Sequence, residues 1–171
     1  QLKEAVLWFG PFRQAVRRAT LLPAQHSLCR KAADPPLPPL PLSDPQAYLY
    51  EPDPAILRAG LVQDLGWQIG AVQMDEDIAY LTSNLQADTP FARCWRIESW
   101  MPFSVKRIRQ HLRQQKISRV IVKKRGSPLQ PEQAIRLLKL DKAAVQHEEE
   151  RIVFLTHLRG RPIAVICFPH A

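Results

Sequence analysis

Four cations recur down one short stretch: Lys106, Arg109, Arg113 and Lys116, at spacings of three, four and three. At about 100° per residue they form a stripe beside an apolar one made by Val105, Ile108 and Leu112. No Asp or Glu lies between Val105 and Lys116 to form the i,i+4 pairs that usually temper such a helix. A second basic group follows in "RVIVKKRGSP", residues 119–128. Alternation puts Val120, Val122 and Lys124 on one face and Arg119, Ile121, Lys123 and Arg125 on the other. Ligands of open α/β sheets gather at the carboxyl ends of parallel strands. Cations there can contact phosphates, and Gly126 lets a backbone come close. The chemistry on offer is therefore binding of a polyanion. The candidate nucleic-acid contacts are Lys106, Arg109, Arg113, Lys116, Arg119, Lys123, Lys124 and Arg125. The alternative is that acidic residues elsewhere in the chain, or on a partner protein, fold against this surface and no nucleic acid is bound.

Catalytic arrangements are harder to find. The sequence has no Gly-rich phosphate loop, no G-x-S-x-G, no H-E-x-x-H and no G-x-G-x-x-G. His26, His111, His147, His157 and His170 stand in no partner pattern, and positive charge on His111 is disfavoured by its basic helix. Cys29, Cys94 and Cys167 are far apart, with no Cys-x-x-Cys pair. An odd number of separated cysteines reads as free thiols in a reducing cytoplasm rather than a disulfide scaffold. His26 and Cys29 have ligand-like spacing, but two ligands do not hold a zinc ion. Asp75, Glu76 and Asp77 read as an acidic loop or helix start rather than a metal cluster. We therefore expect no catalytic residue and no metal or cofactor site in this chain.

Charge is unevenly distributed over the 171 residues, whose formal net charge is +8. Residues 44–92 carry one Lys/Arg against eight Asp/Glu, and residues 93–136 carry twelve against two. A field this lopsided attracts nucleic acid or another anionic surface unless the acidic part neutralises the basic part. Hydrophobic residues make up 46%, enough for a packed core. No run of 18 apolar residues exists, so no membrane-spanning helix is expected.

The elements that must position these cations follow from periodicity. Residues 2–9 and 15–22 read as two strands of a hairpin turning at "GPFRQ". Residues 35–45, "PPLPPLPLSDP", hold six prolines and read as a stiff extended connector, or less plausibly as a ligand for a proline-recognising domain. Asp53 and Pro54 start a helix carrying Ile56, Leu57, Gly60, Leu61 and Leu65 at helical spacing, with Gly66 as its stop. From residue 93 the order is strand 93–101, helix after Ser104, strand 118–124, helix 131–140 and strands 151–158 and 161–168 about an Arg159-Gly160 turn. That is a β-α-β-α-β-β unit: an α+β fold with helices on one face of a mixed sheet. The first β-α-β is expected to be a parallel crossover and the last two strands antiparallel. Trp95 and Trp100 read as core aromatics of the neighbouring strand, with base stacking as the alternative.

The phrases "YLYEPDPAILRAGLV", "IAYLTSN", "TPFARCWRIESWMPFSVKRIRQHLRQQ" and "VIVKKRGSPLQPEQAIRLLKL", in this order and spacing, resemble the C-terminal half of a family of bacterial class I S-adenosylmethionine-dependent methyltransferases. The resemblance covers roughly Tyr48 to Phe168. It implies a methyltransferase domain followed by a ferredoxin-like segment (47–92) and a basic THUMP-like domain (93–171). Residues 1–34 would then be a β-hairpin at the end of the methyltransferase domain and 35–46 a linker. It implies a non-catalytic region that presents RNA to a methyltransferase domain, in cis or in trans. The Gly-rich loop and acidic residue that hold S-adenosylmethionine in such enzymes are missing from this sequence, so the cofactor is expected on that other domain. Gln1 in place of an initiating Met reads as a fragment or a processed chain. The β-α-β-α-β-β order is also similar, at the level of fold alone, to the C-terminal domain of bacterial initiation factor three.

Overall fold

The structure is a computed structural model that describes residues 9–140 and 149–169. Among these residues the chain forms four α-helices and two sheets. The small sheet is a hairpin of β1 (Arg17–Leu21) and β2 (His26–Arg30). The sequence reading paired 15–22 with 2–9 instead. The structure turns the chain later, at 22–25, and gives the strand a partner on its C-terminal side. "GPF" is a single 3-10 turn, Gly10–Phe12. Residues 2–8 of the expected first strand lie outside the described residues.

The large sheet has the order β4-β5-β3-β6-β9-β8-β7. Its strands are β3 (Tyr48–Pro52), β4 (Val72–Gln73), β5 (Leu81–Ser83), β6 (Ala92–Pro102), β7 (Arg119–Lys124), β8 (Glu150–Leu158) and β9 (Arg161–Cys167). The helices are α1 (Pro54–Ala59), α2 (Val62–Ile69), α3 (Val105–Gln114) and α4 (Pro131–Leu138). The acidic and basic stretches thus share one sheet, joined where β3 pairs with β6. The expected α+β unit is present, and β8 and β9 are antiparallel about Arg159 and Gly160, both at positive φ. One expectation is corrected. β6 and β7 run in the same direction but are not neighbours, because β9 and β8 lie between them. The adjacent parallel crossover is β7-α4-β8. Burial decides this order: β8 and β9 are the most apolar strands and take the interior positions, leaving charged β7 at the edge.

Both faces of the sheet are covered. On one, Val122, Val153, Leu155, Ala164 and Ile166 pack under α3 and α4, while Tyr50 and Leu81 pack under α1, α2 and the hairpin. On the other, Leu49, Trp95, Ile152, Phe154, Val165 and Cys167 are closed over by Met74, Ile78 and Tyr80 of the β4–β5 segment.

Local chemistry explains the helix ends. Asp53 caps α1, its Oδ1 accepting from Ala55 N at 2.8 Å, and Pro54 takes the first position. The single helix expected to stop at Gly66 is two helices, since Gly60 (φ +66) ends α1 and Gly70 (φ +64) ends α2. Each closes the paired bonds of a Schellman motif, Leu61 N to Ile56 O and Ala71 N to Gly66 O among them. Gly66 instead lies inside α2, where a Cβ would run into the Leu40 methyl groups. Leu40 is buried, Pro38 O accepts from Trp67 Nε1 and Gln63 Nε2, both at 2.9 Å, and Leu42 bridges Gln73. The proline-rich connector is therefore seated on α2 and β4.

This seat makes a prediction. Gly66→Ala should destabilise the fold by about 1–3 kcal/mol through overpacking. Combined with Leu40→Ala it should cost less than the sum of the two single changes, since the second removes the obstructing methyls. Urea midpoints of the four proteins in this cycle check the coupling.

Candidate nucleic-acid interface

The eight cations singled out by sequence fall into three groups once folded. In the first, Arg109 and Arg113 reach from α3 to the end of α4. Arg109 Nε donates to Leu138 O at 3.0 Å, its Nη2 donates to Leu137 O, and Arg113 Nη2 donates to Lys139 O at 3.3 Å. These are the orphan carbonyls of a helix C-terminus, the negative end of its dipole. The middle of the stripe is thus engaged in fixing α4 against α3.

The second group is the strand exit. Lys123 Nζ lies 2.5 Å from Glu51 Oε2 and 4.3 Å from the centroid of the Trp95 ring. The Arg125 guanidinium carbon lies 5.1 Å from the centroid of Tyr80. Gly126, at φ +83, leaves room for Ile78 and His157, which a Cβ would meet. The glycine read as an approach for a ligand backbone instead accommodates the protein's own side chains. Lys123 and Arg125 fold back over the aromatic layer in which Phe154 meets Trp95 at 5.0 Å and Tyr80 at 5.5 Å, both edge-on. Burial, and then the Glu51 charge, push the Tyr80 phenol well above its ordinary range, with Arg125 opposing, so it stays neutral. Trp95 is a core residue, as expected.

The third group faces solvent. Lys106, Lys116 and Lys124 are exposed and, among the described residues, form no ion pair or hydrogen bond through their side chains. Arg119 is exposed and pairs with Glu150 at 3.5 Å. Arg107, which the stripe argument passed over, is exposed beside Lys106 in the first turn of α3. Lys116 occupies an unusual backbone position. Ile117 N bonds Leu112 O at 2.8 Å and Lys116 N bonds Arg113 O at 3.0 Å, a third Schellman motif. Here the left-handed residue is Lys116, at φ +56, where α1 and α2 use glycine. A side chain is kept where the backbone alone favours none.

The acidic stretch does little to neutralise this surface. Among the described residues, Glu51 is the one acid of 44–92 that pairs with a cation of 93–136; Asp44 meets Arg159 at 3.3 Å and Asp64 meets Arg30 at 2.7 Å. Asp75 is buried and accepts from Gly160 N at 2.8 Å and Asp77 N at 3.0 Å, a structural role. Among the described residues no group of His, Cys, Asp and Glu is placed to hold a metal ion. Burial pushes the Cys94 and Cys167 thiols up, which disfavours a nucleophilic thiolate. His111, which stands in no partner pattern in the sequence, has its Nε2 3.4 Å from Glu98 Oε1 and 3.3 Å from Ser99 Oγ, so β6 gives it the acidic neighbour that its own helix lacks. Glu98 also pairs with Arg151. His147 lies outside the described residues, as does His170.

Set beside this fold and surface, residues 92–169, which span β6 to β9 and the helices between them, match the family model described as THUMP domain-like. The chain is similar to two uncharacterized S-adenosylmethionine-dependent methyltransferases of Mycobacterium tuberculosis, from strains CDC 1551 / Oshkosh and H37Rv. Each is 31% identical over 93 residues, 54% of this chain and 25% of the relative. The fold is also similar to a crystal structure titled as a methyltransferase of Porphyromonas gingivalis W83, with TM-score 0.61 and 21% identity over 75% of this chain and 31% of that one. These matches are to parts of proteins named as methyltransferases, and the last of them shows likeness of fold alone. The chain corresponds to a minor part of each of these relatives.

The strand exit can be tested as a structural feature. Glu51→Ala and Lys123→Ala should each destabilise the fold, and a double-mutant cycle should return a coupling of about 1 kcal/mol or more, because the pair is half-buried rather than surface-screened. Additive effects would mean the two charges do not support each other.

Proposed function

We propose that this chain is the RNA-contacting, non-catalytic region of an S-adenosylmethionine-dependent methyltransferase. It holds substrate RNA by its phosphates while a methyltransferase domain, in cis or in trans, binds the cofactor and carries out the chemistry. The observation that carries this reading is the row of exposed cations on α3 and at the ends of α3 and β7, left without acidic partners by a neighbouring stretch rich in acids. Like charges gathered without compensation repel one another, and a polyanion relieves that repulsion while releasing counterions. The surface consists of Lys106, Arg107, Lys116 and Lys124, with Arg119 at its margin. Arg109 and Arg113 orient the helix that displays it. The competing reading, a protein-interaction module neutralised by acids, draws on the Lys123–Glu51 pair, which involves none of the cations of this surface.

RNA binding followed by fluorescence anisotropy across a salt series tests the proposal. Affinity should fall steeply with salt. Replacing Lys106, Lys116 and Lys124 together by Ala should flatten the log–log slope by about 2, at about 0.7 per lost phosphate contact on a single strand. Lys123→Ala should change the slope little. Absence of binding at low salt, or an unchanged slope in the triple variant, would sink the proposal.

Lys116→Gly gives a second, opposed signature. It should raise stability by up to about 1 kcal/mol by relieving the left-handed backbone, and should weaken RNA binding. A variant that is both more stable and as tight as the parent would remove Lys116 from the interface. Calorimetry with S-adenosylmethionine should give no binding heat from this chain alone.

A further inference from the structure

One row of side chains lies apart from the cationic surface and runs from β3 across β6 to β8. Tyr48 on β3 is the register partner of Arg96 on β6. Phe168, one residue beyond β9, donates its backbone N–H to Arg96 O at 3.0 Å. Arg151 on β8 stands beside it, since Ile152 pairs with Cys167. The Phe168 ring is stacked by two cations: the Arg96 guanidinium carbon lies 4.1 Å and that of Arg151 4.5 Å from its centroid. Tyr48 packs against the cluster under α1 and α2, whereas Phe168 belongs neither to that cluster nor to the one under α3 and α4. The row therefore crosses the strip of sheet between the two helical layers.

The two arginines differ in what they have left to offer. Arg151 is buried, and its charge is met by Glu98 and, at 3.1 Å, by Glu149. Arg96 is exposed and, among the described residues, has no carboxylate partner and donates no side-chain hydrogen bond. It is a planar cation held in place by an aromatic ring, with much of its ordering cost already met by the fold. Guanidinium planes stack on nucleobases, and a base must be unstacked from its neighbours to be reached this way. Within a duplex its faces are already covered.

We propose that Arg96, backed by Phe168, is a stacking site for one unpaired nucleobase of the bound RNA, so that the substrate presents a single-stranded segment to this face. The inference rests on the RNA reading above and adds to it the form of the RNA. Lys106, Lys116 and Lys124 supply charge and are indifferent to strandedness. Arg96 supplies the preference, acting through its plane as well as its charge.

Binding to a short single-stranded oligoribonucleotide carrying one 2-aminopurine, and to the same strand annealed to its complement, tests this. The single strand should bind about tenfold tighter than the duplex, with 2-aminopurine fluorescence quenched on binding. Arg96→Lys keeps the charge and loses the plane; it should weaken single-strand binding about tenfold, abolish the quenching and leave the salt slope nearly unchanged. Phe168→Leu should weaken single-strand binding in the same direction. If Arg96→Lys binds as the parent does, or the duplex binds as well as the single strand, the stacking site is overturned while the phosphate-binding surface stands. If the parent chain binds neither RNA, both readings fall.

Discussion

The structure depends on one strand doing two jobs. β6 runs from Ala92 to Pro102, pairing with β3 along its first half and with β9 along its second. A register shift between Ile97 and Ser99 separates the halves. An extra residue at such a bulge sharpens local twist and redirects a side chain. Here it lies at Glu98, which joins His111 of α3 to Arg151 of β8. Without β6 the acidic half-sheet and the basic half would have no shared ladder. The same strand sets Trp95 into the core on one face and Arg96 into the strip between helices on the other.

From this strand the distribution of charge follows. The covering segment with Met74, Ile78 and Tyr80 lies over the face to which Lys123 and Arg125 point, and the fold absorbs those two cations with one carboxylate and three aromatic rings. The opposite face carries α3 and α4, whose junction is held by Arg109 and Arg113. What remains for a ligand is the outer surface of α3, its left-handed terminus and the exposed end of β7. Roles that look alike in sequence, all of them Lys or Arg in one basic stretch, are separated by whether an acceptor lies within reach. Cations engaged by the fold and cations left exposed interleave at intervals of three and four residues.

Much of the architecture was legible in the residues. Asp53-Pro54, Ser104, Pro131 and Arg159-Gly160 announce helix starts and a hairpin through backbone chemistry that acts over a few residues. The alternation in "RVIVKK" correctly divided Val120 and Val122 from Lys123. Long-range facts were not legible. The order that inserts β9 and β8 between β6 and β7 depends on which strands are most apolar over both faces, a property of the whole sheet. Gly66 looked like a stop because the sequence does not reveal that Leu40 occupies its missing side chain. Glu51, 72 residues from Lys123, could not be matched to it by spacing. Arg96 and Phe168 meet through the register of β6 and β9, which no local pattern encodes.

The central claim is that exposed cations of α3 and β7 contact RNA while Lys123, Arg109 and Arg113 serve the fold. Mapping the amide resonances of the chain as RNA is added tests it most directly. The account predicts that shifts concentrate at 105–107, 115–117 and 124, with Arg96 and Phe168 responding when the RNA is single-stranded, and that the β4–β5 segment is undisturbed. Shifts centred on Glu51, Tyr80 and Lys123, or no shifts at low salt, would contradict it.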